Sequence, residues 1–188
     1  MSSPKVYPGD AAPELSVETL SGGKFTLSSH KPDKYTIVVF YRGKHCPICI
    51  NYLKEIEESY DAAKKLGIDI VAVSMDGEEK ARATAEAVLA KFNDDEVKKD
   101  KLSLPIGYGL SESVARSWGL FMSTAIPGSQ EPALFAEPGL FVVQPDGVVY
   151  SEVVQTNPLT RPGMKTLLGG LEFVMAHNYP IRGQATRQ

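Results

Sequence analysis

The sequence predicts an α/β domain, and three stretches carry that prediction. Residues 35–66 pass from a β-branched and aromatic run, 36–41, into a helical pattern, and Gly67 leads directly into a second such run, 68–74. Two core-type strands joined through one helix make a β-α-β unit with parallel strands and a right-handed crossover. Further on, the apolar runs 140–143 and 148–154 are joined by Gln144-Pro145-Asp146-Gly147, which marks an antiparallel hairpin. Finally, Met164, Leu167, Leu168, Leu171, Val174 and Met175 recur at helical spacing, the core-facing stripe of a last helix.

The remaining elements follow in chain order. Residues 1–12 read as an arm, because Pro4, Pro8 and Pro13 favour extended backbone. Residues 15–20 and 24–27 flank Ser21-Gly22-Gly23, an N-terminal β-hairpin. In the helix after the first core strand, Cys49, Leu53, Ile56, Tyr60 and Ala63 form the apolar face, and Lys54, Glu57, Glu58, Asp61 and Lys65 the charged one, with Gly67 as C′. Asp76-Gly77 opens an alanine-rich helix over about 78–92, and 93–101 is a charged, solvated connector. Residues 104–106 are a short strand or a buried crossing. Residues 111–118 are a short helix stopped by Gly119, with Trp118 in the core. Residues 120–137 mix apolar residues with two prolines and show no period, and a loop of that length is usually functional. Thr160 is the expected N-cap of the last helix with Pro162 near its first position, and 178–188 form a tail. All 188 residues fit one domain.

The only two cysteines, Cys46 and Cys49, sit where the core strand ends and the helix begins. Residues in a first helical turn lie beside N–H groups without intrahelical partners, at the positive end of the macrodipole, so a thiolate there is stabilised. Pro47 suits the first helical position, which puts Cys46 at the N-cap beside Arg42, Lys44 and His45. Such surroundings lower a cysteine pKa from about 8.5 to roughly 3.5–7.5. Cys49 starts the apolar stripe and is expected to be shielded. Cys46 is therefore the expected attacking thiolate and Cys49 the resolving thiol, with His45 a candidate general base. A zinc site needs four ligands, and His30, His45 and His177 form no partner pair, so neither a metal nor a cofactor is expected.

Net charge is −3, which argues against a nucleic-acid surface. No apolar run approaches the roughly 18 residues of a transmembrane helix, and the N-terminus lacks a signal-peptide core. A soluble, cytoplasmic protein is expected, in a compartment where a cysteine pair is catalytic more often than structural.

The order of elements resembles the thioredoxin fold, a central mixed β-sheet flanked by helices. PGDAAPELSVETLSGGKFTL, LSLPIGYGLSESVARSWGL and PGLFVVQPDGVVY look like the alkyl hydroperoxide reductase and thiol-specific antioxidant (AhpC/TSA) superfamily, the peroxiredoxins. That resemblance implies a thiol-dependent oxidoreductase with a hydroperoxide or disulfide substrate, a thiol reductant such as thioredoxin or glutathione, and a homodimer as the default assembly. It also implies a cis Pro138 facing the active cysteine. From the composition of residues 120–137, the apolar Phe121, Ile126 and Leu134 are expected to wall the Cys46 site or a subunit interface. Peroxiredoxins carry a proline and a threonine seven and three residues before the attacking cysteine. Counted from Cys46, Val39 and Gly43 stand there instead, and Pro138 stands where a second arginine is usual. Arg42 is the candidate substitute, while Arg161 and Arg182 are expected only to anchor the C-terminal segment. A disulfide reductase without peroxidase activity, or a non-catalytic binding or dimerisation module, are the alternative readings.

Overall fold

The structure, a computed structural model, describes residues 5–94 and 98–187. In chain order the elements are strands β1 (Ser16–Thr19), β2 (Lys24–Thr26) and β3 (Tyr35–Phe40), helix α1 (Pro47–Lys65), β4 (Ile68–Val73), α2 (Glu78–Asp94), β5 (Ile106–Tyr108) and α3 (Glu112–Ser117). They continue with β6 (Met122–Thr124), β7 (Leu134–Ala136), β8 (Gly139–Val143), β9 (Val149–Val154) and α4 (Met164–His177). Seven strands form one mixed sheet in the order β2-β1-β5-β4-β3-β8-β9. β3 lies parallel to β4 on one side and antiparallel to β8 on the other. This is the expected thioredoxin-like arrangement with its N-terminal hairpin.

β3 is buried along its whole length, and its alternating side chains feed two cores. Ile37, Val39 and Tyr41 meet Leu53 and Ile56 of α1, Val88 of α2 and Leu168 of α4. Val38 and Phe40 face the opposite layer, with Leu15, Ala115, Trp118 and Phe141. Trp118 is fully enclosed, its ring 5.2 Å from Phe40 and 4.8 Å from Phe141 between centroids. The cysteine loop thus leaves the central strand of a sheet covered on both faces, which holds it from two directions.

Several expectations need correction. α4 is capped by Gly163 and not by Thr160, whose hydroxyl instead accepts a hydrogen bond from the Gln155 amide. Glu57, expected on the solvated face of α1, is buried. Its carboxylate accepts the backbone N–H groups of Ser103 and Leu104, pinning that stretch to the helix, and Lys99 neutralises it. Residues 120–137 are not structureless, since β6 and β7 pair there in three-residue strands too short to show a period. The connector keeps α2 helical to Asp94, residues 95–97 lie outside the described residues, and residues 1–4 of the arm do too. The tail is not wholly irregular, because a 3-10 turn covers Gln184–Arg187. Among the described residues, no helix is long and apolar enough to cross a membrane.

Candidate active site

Cys46 is the N-cap of α1, and Pro47 occupies the first helical turn. The Cys46 Sγ accepts the backbone N–H of Cys49 at 3.3 Å, the bond an N-cap serine oxygen would take. Both cysteines are free and both are buried, Cys46 at 2% exposure and Cys49 at 0%. The expected contrast between an exposed and a shielded thiol is therefore absent.

The cation beside the pair is Arg161, which the sequence marked only as an anchor. It lies just before α4, and its Nη2 donates to the Cys49 Sγ at 3.1 Å. The guanidinium rests over the Tyr52 ring, 5.0 Å from the centroid, and the Tyr52 hydroxyl donates to the Pro162 carbonyl at 2.8 Å. Met164 N–H, in the first turn of α4, donates to Glu55 of α1 at 2.6 Å. The start of α4 is thus docked on the start of α1. The signal in the sequence was an arginine set in a Thr-Arg-Pro turn directly before an apolar helix, where a cation is carried inward with the chain.

The electrostatics distinguish the two sulfurs. Burial pushes the Cys49 thiol up, but the hydrogen bond from Cys46, the charge and N–H of Arg161, and the Arg42 backbone N–H outweigh it and bring the pKa down to about 6. For Cys46, the hydrogen bond to Cys49, burial and the Cys49 charge all push upward, against the Cys49 N–H and Arg161. Where two thiols titrate together, the one beside a guanidinium loses its proton more readily. The Arg161 contact thus favours negative charge on Cys49 over Cys46.

The residues expected to serve Cys46 are used otherwise. Arg42 pairs with Glu131 at 2.7 Å and Glu137 at 3.5 Å, and its guanidinium lies 4.6 Å from the Phe135 ring centroid. Its side chain clamps the β6–β7 hairpin to the cysteine loop, and only its backbone serves a sulfur. His45 packs edge-on against Phe135 at 4.8 Å, and neither ring nitrogen has a hydrogen-bond partner. Burial and then the Arg42 charge lower its pKa below the ordinary 6.5, so the ring is neutral at pH 7. It makes no hydrogen bond to either sulfur. Of the hairpin apolars, Phe135 reaches the cysteine loop, whereas Phe121 and Ile126 are exposed at 51% and 65%. Arg182 is exposed.

The loop itself is braced by Asp76, whose carboxylate accepts the Lys44 N–H at 2.7 Å. Gly43 adopts φ +132, and a Cβ there would lie 2.5 Å from Asp76 Oδ2. Only glycine fits both the conformation and the space.

With this geometry, the AhpC/TSA family model matches residues 8–151. The chain belongs to the AhpC/TSA family. It is 25% identical over 166 residues to YkuU of Bacillus subtilis, which carries a peroxiredoxin's name, covering 85% of this chain and 84% of that one. It is also 25% identical over 141 residues to a Thermoplasma volcanium peroxiredoxin, covering 75% of this chain and 62% of the relative. Among solved structures, the Arenicola marina peroxiredoxin 6 superposes with a TM-score of 0.75 at 15% identity, over 92% of this chain and 76% of that one. Enterococcus faecalis AhpC gives 0.67 at 17% identity, over 95% and 99%. In this AhpC/TSA protein, Pro138 is not cis, since no cis peptide bond occurs among the described residues. The chain on both sides of Pro138 runs extended and paired, Glu137 N–H to the Phe121 carbonyl and Gln155 N–H to the Pro138 carbonyl. Pro138 lines a small recess with Val39, Tyr52, Leu140 and Arg161, so it adjoins the site from the Arg161 side.

Proposed function

We propose that this AhpC/TSA protein is a peroxiredoxin-type thiol peroxidase in which Cys49 is the attacking thiolate and Cys46 the resolving thiol. The observation that carries the reading is the Arg161 Nη2 contact at 3.1 Å from the Cys49 Sγ. Counted from Cys49, the positions seven and three residues earlier are Arg42 and Cys46. A thiol thus stands where the family's threonine hydroxyl stands.

The Cys49 thiolate attacks one oxygen of the hydroperoxide, the O–O bond breaks, and Cys49 becomes a sulfenic acid. The departing oxygen leaves as an alkoxide or hydroxide and takes a proton from solvent. Arg161 retains two N–H-bearing atoms, Nε and Nη1, that are buried without partners, so it can hold the negative charge that develops on oxygen. The Cys46 thiol then attacks the sulfenyl sulfur. Its proton leaves with the hydroxyl as water, and a Cys46–Cys49 disulfide remains. A thiol reductant such as thioredoxin or glutathione returns two electrons and two protons, in a reducing, cytoplasmic compartment. Burial of both sulfurs favours a small peroxide over a protein disulfide as the oxidant. A lowered thiol pKa has no use in a pure binding module.

The test is a pair of substitutions. Cys49→Ser abolishes peroxide consumption. Cys46→Ser permits the first step and leaves a sulfenic acid on Cys49 that dimedone traps. A dimedone adduct on Cys46 in the Cys49→Ser variant would return the attack to Cys46.

A further inference from the structure

Thr36 breaks the apolar run of β3, whose six residues are all buried. It stands opposite Val143 in the β3–β8 ladder, so its side chain faces the layer that holds Leu15, Leu27 and Val143. Thr36 is 1% exposed, and its hydroxyl has no hydrogen-bond partner. A buried polar group left unpaired is destabilising, and in folded proteins such groups normally have a partner. This one borders a cleft of about 270 Å3, where Leu27, Pro32 and Val143 supply apolar surface. Thr36 precedes Phe40 by roughly 13 Å of strand, at about 3.3 Å per residue, so the cleft lies at the end of β3 remote from the cysteine loop.

The rim of the cleft carries charges of both signs on separate segments. Lys31 follows the 3-10 turn Leu27–Ser29, and its Nζ donates to the Ser28 carbonyl at 3.5 Å, a long contact. Asp146 stands in the turn between β8 and β9, and its Oδ1 accepts the Val148 N–H at 3.0 Å. Among the described residues, neither side chain forms an ion pair. The other charged groups of the cleft are already engaged. Glu14 accepts the backbone N–H groups of Leu15 at 2.9 Å and Ser28 at 3.3 Å, and the His30 Nε2 lies 2.7 Å from the Asp69 carboxylate. Half-buried Gln144 adds a side-chain amide that can both donate and accept.

We propose that this cleft binds a small amino-acid zwitterion, with the ligand carboxylate on Lys31, its ammonium on Asp146 and a polar atom on the Thr36 hydroxyl. Rim charges of one sign select a simple ion. Here a simple anion also meets Asp146 and a simple cation also meets Lys31, so only a ligand that carries both signs gains from both side chains. The apolar floor takes a short carbon body, and a cleft at the small end of ligand pockets admits a single residue better than a peptide. No covalent step is involved. The cleft stands apart from both sulfurs, so the proposal holds whichever cysteine attacks.

The test is a proton–nitrogen correlation NMR titration of the full-length dithiol protein. Glycine, L-alanine, L-serine and 4-aminobutyrate are added in turn to about 10 mM, tenfold above a millimolar Kd. At least one is expected to move the amide signals of Lys31, Thr36 and Gln144 together. Its N-acetylated and its amidated forms, each lacking one charge, are expected to bind at least about tenfold more weakly. Thr36→Val keeps nearly the same shape and removes an unpaired polar atom, so the fold is retained while binding weakens about tenfold. In Lys31→Gln, a change at an exposed side chain, the free and amidated forms are expected to bind alike, because the charge that told them apart is gone. No shift with any of these probes overturns the proposal. So does wild-type binding that the singly charged forms match, or binding that Thr36→Val leaves unchanged, the mark of loose pairing at the rim.

Discussion

Arg161 gives Cys49 a hydrogen-bonded counter-charge that reaches Cys46 only through its field, and the difference can be read as alkylation rate against pH. With iodoacetamide, Cys49 is expected to react first, with a midpoint near pH 6 set by the Arg161 guanidinium and the Cys46 thiol. Replacing Arg161 by Met keeps the bulk and removes the charge, and should raise that midpoint by about 1–3 units. Peptide mapping after partial labelling identifies the cysteine, and Cys46 labelled first would reverse the assignment. In the sequence, the cysteines, their helix entrance and the need for a cation were legible, and the identity of the cation was not. Arg42 stood four residues from Cys46, but Glu131 and Glu137 lie about 90 residues away and take its charge. Arg161 lies 112 residues from Cys49 and arrives there only because α4 returns across the sheet onto α1.

At the scale of the element, the cysteine loop is shaped by what lies under it. Gly43 is open to a direct test, since alanine there combines an unfavourable φ with a clash against a buried carboxylate. Gly43→Ala is expected to destabilise the fold by about 1–3 kcal/mol. It should also slow peroxide turnover, because the Lys44 and Arg42 amides would shift from Asp76 and Cys49. Urea unfolding and a turnover assay on the same sample check both, and an unchanged kcat with lost stability would reduce Asp76 to a structural brace. The long elements were legible because their periods span many residues. β3, α1, β4 and α2 stand where the apolar spacing put them, and α1 starts at Pro47 as its first-turn preference requires. The start of α4 was not legible. Thr160 satisfies the local rule for an N-cap, yet its hydroxyl is taken by Gln155 and the helix waits until Gly163. A hydrogen bond to a side chain outside the helix overrode a local preference worth about 1 kcal/mol.

For the whole molecule, the layer opposite the helices rests on Trp118, wedged between Phe40 and Phe141 with no exposed surface. Trp118→Ala should cost about 3–5 kcal/mol in equilibrium unfolding, and the variant, which lacks the chain's single tryptophan, is followed by circular dichroism. The thiol pair adds a pH-dependent component to that stability. Cys49 has a folded pKa of about 6 against an ordinary value of 9.0, so between those limits the unfolded chain binds more protons than the folded one. Stability of the dithiol protein from this source therefore rises with pH through that window, and is lost as pH falls through 6. Above about 9 the slope reverses, because the Cys46 thiol, raised by its contact with Cys49, keeps its proton in the folded chain and loses it in the unfolded one. The amplitude is on the order of a few kcal/mol, since each unit of displacement is about 1.36 kcal/mol and the pair is buried. In the disulfide form neither group titrates, so both slopes should disappear. Urea midpoints measured from pH 5 to 10 on the reduced and the diamide-oxidised protein isolate the contribution as a difference. A reduced-minus-oxidised curve that stays flat or falls between pH 6 and 9 would mean that Cys49 is not ionised beside Arg161 in the folded chain.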